Sequence, residues 1–360
     1  MKRVRFIIVG SGWRAMYYVR IAKALPEQFE LCALLCRTQE KADRIAAEYG
    51  IVTTTSIAYC LEQKPDYAVV VVDKAHIAEV AMEWLDRGIP VMMETPAAMD
   101  METLERLKQQ KGKLVVAEQY RRYPENIARL NILKKGLIAE PDYLYLSMAH
   151  EYHGASLIRA FLQVPADMPF SITAFEWAFP TVETLSRYER FTDGHTADKK
   201  RMAAVIRFDN GKVCLYDFDS EQYRSPIRKN LWKLQGSRGE INDDVVYWLD
   251  SENQGRTAPI VISARTVETD SDNPNFKSYE EVTAIKWNNE TVYEPPFGLC
   301  GLSQDETAIA SLMNDMGAYA RGEAESPYPL EEALQDAYMA ILLRQAASEG
   351  TTVHSTWSVK

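Results

Sequence analysis

Along its amino-terminal third the chain alternates short apolar blocks with amphipathic stretches. The blocks cover 5–9, 29–36, 67–72, 90–93 and 114–117. Several are continuous rather than alternating, the pattern of strands covered on both faces. Between them, apolar residues recur at helical spacing over 15–25, 39–49, 77–87 and 100–110. Strand–helix alternation at this interval predicts an α/β unit with a doubly wound, mainly parallel sheet.

The pattern changes near Tyr120. A helix over 126–135, a strand over 142–148 and a helix over 154–162 precede long strands. Segments 203–208 and 212–217 flank Asn210-Gly211, which reads as a type I′ hairpin turn. Segments 230–235 and 240–249 flank Gly236-Ser237-Arg238-Gly239, and 281–287 and 290–293 flank Asn288-Asn289. These predict an α+β domain with a large open antiparallel sheet. Residues 266–278, acidic, rich in Ser and Asn and broken by Pro274, read as a mobile loop. Two helices close the chain. Ser303 and Glu306 have the spacing of a capping box. Leu330, Ala333, Leu334, Ala337, Tyr338, Ile341 and Leu342 form one apolar face.

Composition narrows the function classes. With 360 residues, the chain is long enough for roughly two domains. A net charge of −10 without a dense basic run argues against a nucleic-acid partner. The five cysteines, Cys32, Cys36, Cys60, Cys214 and Cys300, are odd in number and scattered, as expected of reduced thiols rather than a disulfide framework. Cys32 and Cys36 sit in an apolar run without ligand-spaced neighbours, so they are expected in the core and no metal site is predicted. The apolar run at 6–9 is too short for a signal-peptide core, and no stretch reaches membrane-span length. Cytoplasmic residence without a membrane partner is the expectation.

The chemistry begins at Gly10-Ser11-Gly12-Trp13-Arg14-Ala15, a G-x-G-x-x-A run between the first strand and its helix. Gly10 permits the turn, Gly12 lets a pyrophosphate approach the backbone, and Ala15 lets helix pack on strand. Free amides of the helix's first turn would meet the phosphates. The second strand should end on the residue that reads the adenosine ribose. Cys36-Arg37-Thr38 stands there without a carboxylate, which leans towards NADP over NAD, while Arg37 also reads as a solvated loop charge.

In the order and spacing of these features the chain resembles the Gfo/Idh/MocA family, named for glucose-fructose oxidoreductase, inositol dehydrogenase and rhizopine catabolism. Its anchors are the glycine turn, Glu94-Thr95-Pro96, the stretch from Gln119 to Pro124, the strand–His153–helix segment, the Gly236/Gly239 hairpin and the carboxy-terminal helix. The resemblance implies an NAD(P)-dependent oxidoreductase moving hydride to or from a carbohydrate-like hydroxyl or keto carbon of a sugar, amino-sugar or cyclitol. It implies a dinucleotide-binding domain over 1–122, a substrate and oligomerisation domain over 123–302, and helices over 303–360 packing back on both. A homodimer or homotetramer is expected.

Two departures matter. The family's Glu-Lys-Pro, with a cis bond before its proline, is Glu94-Thr95-Pro96 here, a divergent form. Its Asp-x-x-x-His is Ala149…His153, which leaves His153 as the expected acid/base and His150 as an extra candidate. Histidine can serve alone, because its ordinary pKa, about 6.5, lies near neutrality. Tyr120, Arg121 or Arg122 could stand in for the missing lysine, and Gln119, Arg121 and His150 are expected to line the substrate site. Cofactor contacts are expected from Gly10, Ser11, Gly12, Trp13, Arg14, Arg37, Thr38, Asp73, Glu94, Thr95 and Pro96. Asp73 reads equally as a ribose contact and as a helix cap, His76 reads as a helix-start residue first and a nicotinamide neighbour second, and His195 reads as a loop residue. Two alternatives stay open: a catalytically silent dinucleotide- or sugar-binding sensor, and a glycoside-cleaving enzyme that recycles its NAD.

Overall fold

Phe6, Ile7 and Ile8 have no exposed surface, and their strand, β1 (Val4–Val9), lies inside a six-stranded parallel sheet. Burying each such side chain contributes roughly 1.5–3 kcal/mol, which is why the block is continuously apolar. This computed structural model describes residues 2–359. The other strands are β2 (Phe29–Leu35), β3 (Thr53–Thr54), β4 (Tyr67–Val70), β5 (Val91–Met93) and β6 (Leu114–Val116). Their order, β3-β2-β1-β4-β5-β6, reverses between β1 and β4. In open α/β sheets that reversal opens a crevice at the carboxyl ends of the strands.

The helices follow their local signals. α1 (Ala15–Ala24) opens directly after the glycine turn. α2 (Gln39–Tyr49) begins at the Thr38 side chain, which accepts from the Lys41 amide, and ends at left-handed Gly50. α3 (Ile57–Glu62) and α4 (Ile77–Asp86) follow, and α5 (Met101–Lys108) is capped by Asp100. β3 and α3 had no counterpart in the sequence reading, since they are too short to show a period.

The chain forms two compact units, Met1–Tyr123 with Leu299–Tyr338, and Pro124–Gly298 with Met339–Lys360. The second contains α6 (Pro124–Leu133), β7 (Pro141–Ser147) and α7 (Glu151–Leu162). Then come β8 (Phe170–Val182), β9 (Thr196–Phe208), β10 (Val213–Asp219) and β11 (Leu231–Gly236). β12 (Gly239–Asn242), β13 (Val245–Leu249) and β14 (Gly255–Glu268) precede α8 (Pro274–Lys277), β15 (Ser278–Trp287) and β16 (Glu290–Tyr293). After α9 (Gln304–Ala320) and α10 (Leu330–Glu349), β17 (Thr352–His354) adds an edge strand against β8.

Several expectations need correction. The eleven-stranded sheet is mixed, because β7 and β10 pair in parallel. The crossover through α7, β8 and β9 is long enough to allow it. The strand expected over 240–249 is two strands, split where Asp243 takes a φ of 47°. At Asn210-Gly211 only the glycine has a positive φ, and its amide donates to Phe208 O, so the turn is not type I′. Asn288-Asn289, with φ values of 48° and 64°, has the signs that type I′ needs. Segment 266–278 carries α8, and Asn273 and Asn275 donate to the carbonyls of Ser186 and Arg187. α10 is buried all round over 333–340, Gln335 and Asp336 included, rather than along one stripe.

α9 belongs with the parallel sheet. Its Ser303–Glu306 capping box forms. A Cβ on Gly317 would come 2.5 Å from Val4 Cγ2, and the Tyr67 hydroxyl donates to Met313 O at 3.1 Å. No described helix is long and apolar enough to cross a membrane.

Candidate functional site

The glycine turn sits at the β1 end of the crevice. Gly10 has a φ of +117°, and a Cβ there would lie 2.1 Å from Val71 O. Only glycine meets both demands. Gly12 differs: its Cβ would have nothing within 4 Å. Among the described residues the Ser11 and Gly12 amides donate to no backbone carbonyl. The start of α1 has no side-chain cap either. The first-turn amides of α1, expected to be free, donate instead to the Gly12, Trp13 and Arg14 carbonyls, so it is the open space beside the Ser11 and Gly12 amides, in the turn before the helix, that fits a dinucleotide diphosphate. The Trp13 ring packs edge-on to Tyr17 at 4.8 Å.

Around the same crevice lie the other expected contacts. Arg37 is exposed just past β2, and Thr38 caps α2. Asp73, exposed after β4, accepts from the Ala75 amide at 2.9 Å, and His76 is the exposed residue before α4. Both are therefore helix-entry residues in structural terms. Glu94-Thr95-Pro96 follows β5, and the Thr95–Pro96 bond is cis, as expected.

A charged network ties these motifs together. Arg14 Nε donates to Glu94 Oε1 at 2.9 Å, and its Nη1 donates to Asp305 Oδ2 at 2.5 Å. Glu94 also accepts from the Tyr18 hydroxyl at 2.6 Å. Asp305 Oδ1 accepts from Gln119 at 3.0 Å and Tyr123 at 2.8 Å. Burial works against the Asp305 charge. The Arg14 charge, with hydrogen bonds from Arg14, Tyr123 and Gln119, outweighs it and holds the carboxyl below its usual range. Burial, aided by Glu94, pushes the Glu118 carboxyl up to about 8, against the Tyr120 amide, Arg121 and Arg14. Gln119 Oε1 is buried without a hydrogen-bond partner among the described residues.

The proposed substitutes for the family lysine are already engaged. Arg121 pairs with Glu332 at 3.6 Å and lies over the Tyr328 ring, and Arg122 pairs with Asp315 at 2.6 Å. Tyr120 stacks on Tyr123 at 4.5 Å.

The histidines at the start of α7 form a separate cluster in the second unit. His153, on the first turn, is 4% exposed, whereas His150, preceding the helix, is half-buried. His150 Nδ1 lies 2.5 Å from the Tyr223 hydroxyl and Nε2 lies 2.8 Å from the Tyr152 hydroxyl. Ring centroids of His150 and His153 are 5.2 Å apart. His195 lies elsewhere, in a loop. It contacts Asp193 at 2.6 Å and Glu183 at 2.8 Å, and these hydrogen bonds raise its pKa above 6.5.

Sequence reasoning missed Tyr152, Tyr223, Tyr18, Glu118 and Asp305. Glu118 adjoins the noticed Gln119, and Asp305 lies inside the capping box, so their positions were visible. The partners of Asp305, Tyr18 and Tyr223 were not, because those contacts join distant parts of the chain.

Residues 4–118 match the family model GFO_IDH_MocA, described as an oxidoreductase family with an NAD-binding Rossmann fold. No curated protein matches the chain in sequence. Among solved structures, a levoglucosan dehydrogenase in complex with NADH and levoglucosan is 16% identical, with 98% of this chain and 99% of that one covered and a TM-score of 0.66. An oxidoreductase from Agrobacterium radiobacter, bound to NAD+, L-tartaric acid and magnesium, is 12% identical over 98% of both chains, with a TM-score of 0.65. An oxidoreductase from Thermotoga maritima is 16% identical over 98% of both chains, with a TM-score of 0.61. These likenesses establish a shared fold. Residues 4–118, which carry the glycine turn, the strand order and the cis Thr95–Pro96 bond just described, thus match the NAD-binding Rossmann fold of the Gfo/Idh/MocA oxidoreductase family.

Proposed function

We propose that the protein is an NAD(P)-dependent oxidoreductase acting on a carbohydrate-like hydroxyl or keto carbon. The observation that carries the reading is the open space beside Gly12, next to the uncommitted Ser11 and Gly12 amides in the turn before α1. Ser11, Gly12, Trp13 and Arg14 would hold the diphosphate, and Arg37, exposed beyond β2, would pair with a 2′-phosphate, favouring NADP. Asp73 and Glu94-Thr95-Pro96 complete the proposed cofactor contacts. A bound nicotinamide supplies a carbon that accepts or donates hydride.

The proton chemistry is assigned to the second unit. His153 takes the hydroxyl proton in oxidation and returns it in reduction, with His150 beside it. Gln119 and Arg121 are proposed as lining residues, although Arg121 is already shared between Glu332 and Tyr328. The levoglucosan complex of one structural neighbour supports a sugar-like substrate class. The test is turnover on a panel of sugars, amino-sugars and cyclitols with both coenzymes. Appearance of reduced coenzyme, lowered about 10²-fold by His153→Ala, is the expected result. Saturable coenzyme binding without turnover would favour the sensor.

A homo-oligomer is part of the reading. By strand register Phe175, Trp177, Leu231, Tyr247 and Leu249 share one face of the mixed sheet, and all are exposed. An apolar face of this kind marks a protein interface. Light scattering of the purified protein measures the assembly, and a monomer would remove this part.

A further inference from the structure

A proton placed on His153 has little direct route to water, because that side chain is almost wholly buried. The groups packed beside it are better placed: His150, Tyr152 and Tyr223 are all half-buried. We propose that Tyr152, His150 and Tyr223 form a proton shuttle between His153 and solvent, an assignment that rests on the oxidoreductase reading above.

The geometry is that of a wire. The Tyr152 ring lies 4.3 Å from the His153 ring, centroid to centroid, and its hydroxyl meets His150 Nε2 at 2.8 Å. On the far side His150 Nδ1 meets the Tyr223 hydroxyl at 2.5 Å. Imidazole is suited to this position because it can take a proton on one nitrogen and release one from the other.

In the oxidation direction a bound nicotinamide would accept hydride from the substrate carbon, and the hydroxyl proton would go to His153. That proton passes to the Tyr152 oxygen, whose ring packs against the His153 ring, while the Tyr152 proton moves to His150 Nε2. The imidazolium then yields its Nδ1 proton to Tyr223, whose own proton goes to solvent. One proton enters and one leaves, and nothing is oxidised beyond the substrate carbon. Reduction runs the same path backwards.

The backbone shows that the turn is built to hold this arrangement. Ala149 and Glu151, on either side of His150, have φ values of 60° and 23°. Non-glycine residues persist there only when their surroundings hold them, a condition common at functional sites. Here tyrosine hydroxyls do so. Tyr216 donates to Ala149 O and accepts from the Glu151 amide, both at 2.9 Å, and Tyr223 accepts from the His150 amide at 2.9 Å. Burial keeps the Tyr216 phenol well above its ordinary pKa, hence protonated. Glu151, the nearest carboxylate in the turn, is paired with Arg344.

Two measurements test the shuttle. In the coenzyme-free protein, NMR of labelled histidine reports exchange of the His153 ring N–H with water. We expect His150→Gln and Tyr152→Phe each to slow it about tenfold or more. In turnover, His150→Gln should lower kcat about tenfold with KM unchanged, and added imidazole buffer should restore the rate. Tyr152→Phe, which keeps the ring packing, covers the case that His150→Gln fails to fold. Unchanged exchange in the variants, or a kcat loss that imidazole does not relieve, would overturn the shuttle. Absence of turnover in the wild type would instead sink the oxidoreductase reading, and the exchange rates would still decide whether the wire conducts.

Discussion

Arg14 Nε and Glu94 Oε1, 2.9 Å apart, join the helix that follows the glycine turn to the Glu94-Thr95-Pro96 turn after β5. Both side chains are largely buried, and Arg14 is shared with Asp305. Burial disfavours the Arg14 charge, but Asp305 and Glu94 more than compensate, so it stays fully charged. Replacing Glu94 by Gln keeps the shape and removes one of its two anions. A charge-assisted hydrogen bond is worth roughly 1.5–3 kcal/mol, so Glu94→Gln should lose about that much stability, read by urea unfolding. An unchanged midpoint would show that Asp305 alone satisfies Arg14.

At Gly10 the expectation is purely structural. A methyl group would meet Val71 O at 2.1 Å in a backbone conformation that L-residues avoid. Gly10→Ala should therefore cost about 3 kcal/mol or more, with or without coenzyme. Near-wild-type thermal stability would mean that the turn relaxes in a way the structure does not show.

Much of this was legible in the sequence. The helix over 39–49 came out to the residue because Thr38 and Gly50 punctuate it. The Gly10 turn was legible because its chemistry is local. The parallel, doubly wound character of the first sheet follows from the strand–helix alternation alone. What stayed hidden depends on contacts between distant parts of the chain. The parallel pairing of β7 with β10 carries no local signature. The split at Asp243 was, by contrast, visible: Asn242-Asp243-Asp244 interrupts the apolar pattern with turn-forming residues. The partners of Arg121, Glu332 on α10 and Tyr328 just before it, were equally out of reach. The Tyr152–His150–Tyr223 contact was out of reach because Tyr223 lies 73 residues from His150.

The proposed preference for NADP rests on Arg37, exposed past the end of β2. If its guanidinium pairs with a 2′-phosphate, Arg37→Ala should weaken NADPH binding by about tenfold, equivalent to about 1.4 kcal/mol, and leave NADH within about twofold. Equal effects on both coenzymes would remove Arg37 from the ribose site.

Glu118 should give the protein a defined pH dependence. Its folded-state pKa, about 8, lies above the ordinary 4.5, so between these values the folded protein holds a proton that the unfolded chain has lost. The resulting stabilisation is complete below about 4.5 and is lost as pH rises towards 8. Glu118→Gln is neutral throughout and should erase that slope, gaining on the wild type as pH increases. Urea unfolding at about pH 5, 7 and 9 measures it, and parallel curves for the two proteins would contradict the assignment.

The most direct measurement is a coenzyme titration of wild type and Gly12→Val, followed by Trp fluorescence. Because nothing lies within 4 Å of a Cβ at Gly12, the valine should be accommodated in the free protein while filling the space assigned to the diphosphate. The account predicts saturable binding of NADPH or NADH to the wild type and at least about tenfold weaker binding to Gly12→Val, with the unfolding midpoint unchanged. No association with the wild type, or equal affinity in both proteins, would contradict it.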